Sequence, residues 1–110
     1  MRVSLLHVQF HEGNNIFPPL GILYVGAVLR EAGHTVQVLD RDPRRRADTV
    51  DEIAGFRPDV VGLSFMTMTY DRAVDVAQAL RERLPTAHLI AGGPHPTADP
   101  EGTLRNLALD

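Results

Sequence analysis

Two short stretches hold the residues of this chain best suited to touching a ligand. The first is Ser64-Phe65-Met66-Thr67-Met68-Thr69-Tyr70, which follows the apolar run Asp59-Val60-Val61-Gly62-Leu63. The second is Gly92-Gly93-Pro94-His95-Pro96-Thr97, which follows His88-Leu89-Ile90-Ala91. Hydroxyls in the first can donate and accept hydrogen bonds, and thioethers fill irregular apolar surfaces. The two glycines of the second let something large come close to the backbone. These are the means of binding rather than of bond breaking.

Other chemistries are poorly served. The chain has no cysteine, so disulfides, thiolate nucleophiles, zinc–thiolate sites and cysteine-ligated iron–sulfur clusters are excluded within it. The histidines are His7, His11, His34, His88 and His95, without H-x-x-x-H or H-E-x-x-H spacing. No metal ligand is assigned on that basis. His7 and His88 fall within strand-like runs and read as structural, and His34 follows a helix end. His11 and His95 stand on loops that face a candidate ligand. Ser64 is not in a G-x-S-x-G elbow, and no catalytic residue is assigned. The segment after the first strand has no G-x-G-x-x-G and no P-loop pattern, with Gly13 and Gly21 isolated in it. His11-Glu12-Gly13-Asn14-Asn15 supplies amides but not the hydroxyl-rich phosphate loop of an FMN site. Val8 and Gln9 stand where a phospho-receiver would carry acids.

Size and composition fit one small globular domain. There are 110 residues, and a hydrophobic content of 44% argues against disorder. The net charge of −3 leaves no electrostatic footprint for nucleic acid. All 11 basic residues are arginine, and the run Arg44-Arg45-Arg46 lies between Asp42 and Asp48, which reads as a solvated loop. Met1-Arg2 leads straight into a strand-like run with no small-residue cleavage site. No apolar stretch approaches the roughly 20 residues of a membrane span. A cytoplasmic location is the default expectation.

The elements that must position the two loops alternate. Val3–Val8 is nearly continuous in apolar residues and predicts a strand buried on both faces. Pro18-Pro19 opens a helix in which Leu20, Leu23, Tyr24, Ala27 and Val28 follow the spacing of one face. Gly33 stops it, and Arg30 suits the dipole of its last turn. Thr35–Leu39 is the second strand. Thr49 and Glu52 fit a capping box for a short second helix with Val50, Ile53 and Ala54 inward. Asp59–Ser64 is the third strand. A third helix starts near Asp71, with Ala73, Val76, Ala77, Leu80 and Leu84 as its apolar stripe. His88–Ala91 is the fourth strand. Asp99 caps a last helix with Pro100 at its first position.

The order β-α-β-α-β-α-β-α predicts an α/β fold, a parallel sheet between two helical layers. Strand order 2-1-3-4 is the flavodoxin-like pattern, in which ligands bind outside the carboxyl ends of the strands. A fifth strand is due where the chain reaches Ala108-Leu109-Asp110 and is expected to be missing or truncated. The fourth strand is then an exposed edge, which points to a fragment of a longer protein or a domain that pairs that edge with something.

Four segments in this order resemble a known family. They are Pro18-Pro19-Leu20-Gly21-Ile22-Leu23-Tyr24, Leu29-Arg30-Glu31-Ala32-Gly33-His34-Thr35-Val36, Asp59-Val60-Val61-Gly62-Leu63-Ser64, and Gly92-Gly93-Pro94-His95-Pro96-Thr97. Together they resemble the N-terminal cobalamin-binding domain of B12-dependent radical SAM enzymes. The resemblance implies that residues 1–110 form a cobalamin-binding domain. It implies a longer parent whose barrel carries a 4Fe-4S cluster and uses S-adenosylmethionine, with methylases and cyclases among such parents. It places cobalamin contacts at Asn15, Leu20, Ser64, Phe65, Met66, Thr67, Met68, Thr69, Gly92, Gly93, His95 and Pro96.

A corrin is broad, flat and amide-rimmed, so a wide floor of strand ends suits it. On this reading Phe65, Met66 and Met68 lie against the ring, Ser64, Thr67 and Thr69 hydrogen-bond the rim or the tail base, and a bulky group at Gly92 or Gly93 blocks the tail slot. The cobalt-ligating pattern D-x-H-x-x-G is matched only by Gln9-Phe10-His11-Glu12-Gly13-Asn14, which lacks the aspartate that would orient the imidazole. His11 is therefore expected not to coordinate cobalt, and the tail base is expected to lie off the metal. Two other readings stand beside this one: a cofactor-free interaction domain, and the N-terminal half of a two-domain transferase.

Overall fold

Four successive buried residues, Val3 to Leu6, make β1 (Arg2–Val8) the centre of the fold, because such a strand needs cover on both faces. A computed structural model describes residues 1–9, 18–42 and 46–110, with Arg46 described by its backbone alone. The expectations for His11, Asn15, Arg44 and Arg45 lie outside the described residues, while Arg46 begins a helix rather than lying in a loop.

Strands β2 (Thr35–Arg41), β3 (Val60–Ser64) and β4 (His88–Gly92) join β1 in a parallel sheet of order β2-β1-β3-β4. The predicted architecture is thus the observed one. Helix α1 (Leu20–Glu31) lies on one face, where Ile22 and Leu29 pack with Val3, Leu5 and Val36. Helices α2 (Arg46–Phe56) and α3 (Tyr70–Arg83) lie on the other. There Leu6, Val8, Val61, Leu63 and Leu89 meet Val50, Ile53, Ala73, Val76, Ala77 and Leu80 in the larger core cluster. The α3 stripe is as the sequence predicts. Short helices α4 (Pro94–Ala98) and α5 (Pro100–Asn106) follow β4. Asp99 caps α5 by accepting from the Gly102 amide at 3.1 Å, as its position before Pro100 suggests.

Three local expectations are corrected. The apolar stripe Leu20, Leu23, Tyr24, Ala27 and Val28 of α1 faces outward, and the residue buried is Gly26. This helix is apolar around its circumference, so spacing does not choose a face. Close approach does: a Cβ on Gly26 would stand 2.9 Å from Val38 Cγ2. Helix α2 begins at Arg46, which leaves Thr49 a turn inside and buried rather than at the cap. Asp48 supplies the acid of its first turn. The Gly-Gly-Pro-His-Pro-Thr stretch is partly helical, since Pro94 starts α4 directly after Gly93.

The edge of β4 is not bare along its whole length. Leu107 is buried in the core, and the Asp110 amide donates to the Leu89 carbonyl at 2.8 Å. The Asp110 carboxylate accepts from the Leu89 amide at 2.8 Å. Arg81 holds this run in place by donating to the Ala108 carbonyl at 2.9 Å.

Candidate functional site

Strand register sets the wall of the site. In parallel pairing, Asp40 stands beside His7, His7 beside Ser64, and Ser64 beside Gly92. Side chains alternate across a sheet, so these four residues lie on the face that α1 covers, with Val3 and Leu5. The next row toward the amino ends is Val38, Leu5, Gly62 and Ile90. Over β1 and β2 this face is packed against α1. Over β4 it is not: Ile90 is 48% exposed, and a Cβ added to Gly92 would meet no atom within 4 Å. At Gly62 a Cβ would stand 2.8 Å from Leu5 Cδ2, so Leu5 already leans across that position. The result is an open strip of sheet beside α1, the candidate groove, floored by Ile90 and Gly92 and reaching the carboxyl rim past Ser64.

Above the wall, the two sequence-predicted loops meet. Phe65 donates its amide to the Gly92 carbonyl at 3.3 Å, and the His95 amide donates to the Phe65 carbonyl at 3.3 Å. The Thr67 hydroxyl and His95 Nδ1 are 2.9 Å apart. The His95 ring lies 4.5 Å from the Tyr70 ring centroid and 5.9 Å from that of Phe65. An imidazole thus pins one loop to the other, with aromatic rings behind it.

The predicted contact residues divide into three groups. Met66, Met68 and Thr67 are exposed on the rim, as is Leu20 at the start of α1. Ser64 is half-buried and opens toward the groove, while His95 and Pro96 are half-buried in the second loop. Phe65 and Thr69 differ from these in that their side chains are buried and turned away from the open surface. Phe65 is 1% exposed and belongs to the core. Thr69 is fully buried, and its hydroxyl accepts from the Met66 amide at 3.1 Å and donates to the Met66 carbonyl at 3.2 Å. Both residues shape the turn Thr67–Thr69 that presents Met66 and Met68.

The two glycines also differ. Gly92 borders open space. Gly93 has φ +101°, and a Cβ there would lie 3.0 Å from both the Phe65 carbonyl oxygen and Ser64 Oγ. Gly93 is needed for the turn itself, so a substitution there does not isolate a slot. Gly92 is the position that tests one.

One pair escaped sequence reasoning. His7 Nδ1 lies 2.8 Å from Asp40 Oδ1, and the two side chains are 24% and 25% exposed. The signal was available in principle: a histidine near the end of the first strand and an aspartate near the end of the second face the same way once the register is known. Among the described residues there is no group of three metal-ligating side chains and no helix long and apolar enough to cross a membrane.

Comparisons with known proteins agree with the fold. The profile of the family described as B12 binding domain matches residues 7–110. An uncharacterized methyltransferase of Pyrococcus horikoshii is 33% identical over 90 residues, 80% of this chain and 19% of the relative. The hopanoid C-3 methylase of Methylococcus capsulatus is 34% identical over 76 residues, 68% of this chain and 15% of the relative. An anaerobic magnesium-protoporphyrin IX monomethyl ester cyclase of Synechocystis is 34% identical over 84 residues, 73% of this chain and 17% of the relative. The chain spans less than a fifth of the length of each of these relatives.

Proposed function

The chain belongs to the B12 binding domain family, and we propose that it holds cobalamin with the corrin across the carboxyl ends of its strands and the nucleotide tail in the groove beside α1. The observation that carries this reading is the open space at Gly92. A Cβ there would enter the groove, in the same cross-strand row as the Ser64 hydroxyl and above the exposed Ile90. A polar group at the mouth and apolar surface below suit a ligand whose tail ends in an aromatic base. Met66 and Met68 supply adaptable apolar contact at the rim. Thr67, held by His95, supplies a hydroxyl there.

The cofactor, when bound, supplies a cobalt able to carry a methyl group. This chain's own part is to bind, orient and partly desolvate. We assign it no catalytic residue. The tail base is taken to lie off the cobalt, in the groove. The parent is proposed to be a radical SAM methyltransferase or cyclase, with a barrel domain that binds a 4Fe-4S cluster and S-adenosylmethionine. That proposal follows the resemblance and the names of the relatives.

The test is retention. The purified chain mixed with hydroxocobalamin and desalted is expected to stay coloured. Gly92→Leu is expected to keep the far-UV circular dichroism of the parent and to weaken binding by about tenfold or more, each tenfold being 1.4 kcal/mol. A colourless wild-type chain supports the cofactor-free reading instead. Full retention by Gly92→Leu places the tail elsewhere.

A further inference from the structure

We infer that His7, aimed by Asp40, is a binding residue for the nucleotide tail of cobalamin, an assignment that rests on the groove reading above. The pair lies next to Ser64 in the row that ends at Gly92, on the sheet face that carries the groove. At about a quarter exposed, both side chains are half-buried, yet neither is sealed in the core.

The chemistry follows from the hydrogen bond. A carboxylate can only accept, so Nδ1 carries the proton when it faces Asp40 at 2.8 Å. In the neutral ring that leaves a lone pair on Nε2 as the acceptor. Nε2 is on the ring edge away from Asp40, and no hydrogen-bond partner for it is found among the described residues. A half-buried acceptor without a partner is a loss unless water or a ligand satisfies it. The tail of cobalamin brings donors of the right kind, a ribose hydroxyl and an amide N–H between corrin and phosphate. Nε2 accepts from one of them. Asp40 acts through His7 and is a positioning residue: it fixes the tautomer and the ring plane.

The experiment compares two ligands on one protein, hydroxocobalamin and diaquacobinamide, which keeps the corrin and cobalt but lacks the nucleotide. The wild-type chain, His7→Phe, His7→Gln and Asp40→Asn are titrated with each by absorbance, with circular dichroism as the control for folding. His7→Phe is expected to weaken cobalamin by about tenfold and to leave cobinamide unchanged. His7→Gln keeps an acceptor and is expected to restore part of the loss. Asp40→Asn is expected to show the same selective loss, smaller in size, and this arm decides the matter if His7→Phe does not fold. Equal losses for both ligands, or none, overturn the inference. So does a nitrogen splitting in the electron paramagnetic resonance of the cobalt(II) form that vanishes in His7→Phe, which would make His7 a cobalt ligand. Failure of the wild-type chain to retain cobalamin overturns the underlying reading, whereas retention with indifferent His7 variants overturns only this one.

Discussion

Adjacent glycines do different work in this protein. Gly92 leaves room, and Gly93 makes a turn. The sequence shows Gly92-Gly93 as one motif, and nothing in the letters says which residue lines a space. The distinction comes from φ and from the neighbours: Gly93 is at +101°, against Ser64 Oγ and the Phe65 backbone. Gly93→Ala is therefore expected to lower thermal stability by about 1–3 kcal/mol, read as a fall in Tm. Gly92→Ala is expected to leave Tm nearly unchanged. The same limit applies to Phe65 and Thr69. Residue type marked the loop as a binding loop, but which side chains turn inward depends on how the Thr67–Thr69 turn closes on Met66. His7 shows the reverse case. It reads as a strand histidine until the register puts Asp40 beside it.

At the scale of the elements, the sequence is legible wherever its signals are independent. Strand β1 declares itself by continuous apolar residues, α5 by Asp99-Pro100, and α3 by a stripe on an otherwise polar helix. Helix α1 does not declare its inner face, since nearly every position could be buried. The fold chooses the side with Gly26 because β2 must come close there, and Val38 fills the space a larger side chain would take. Gly26→Leu is expected to push α1 off the sheet and to cost about 1–3 kcal/mol, measured by urea denaturation. The groove sits beside this helix, so the same variant is also expected to weaken cobalamin retention.

For the whole molecule, alternation of strands and helices predicted the parallel sheet and both helical layers, and the flavodoxin-like pattern its strand order. The treatment of the free edge could not be foreseen, because it depends on a few long-range contacts. Arg81 on α3 reaches the last residues and holds them against β4. The side-chain hydrogen bond from Arg81, and then the amide of Leu89, hold the Asp110 carboxyl below its ordinary range. A depressed folded-state value favours the ionised fold. Its contribution is complete above the unfolded value near 3.8 and is lost as pH falls through the folded one. Asp110→Asn is expected to flatten the loss of stability below about pH 4, as followed by circular dichroism during acid titration.

The row Asp40, His7, Ser64 and Gly92 occupies every second place on strands whose intervening residues, Leu39, Val8, Leu63 and Ala91 among them, pack toward the opposite layer. A slip of one place in pairing would turn this polar row toward the α2 and α3 layer and bring apolar residues to its place on the rim. The force that holds the interior together therefore also keeps the proposed recognition surface in line. The letters of this one row can be rewritten for a new guest while the apolar residues around them go on keeping the strands in step.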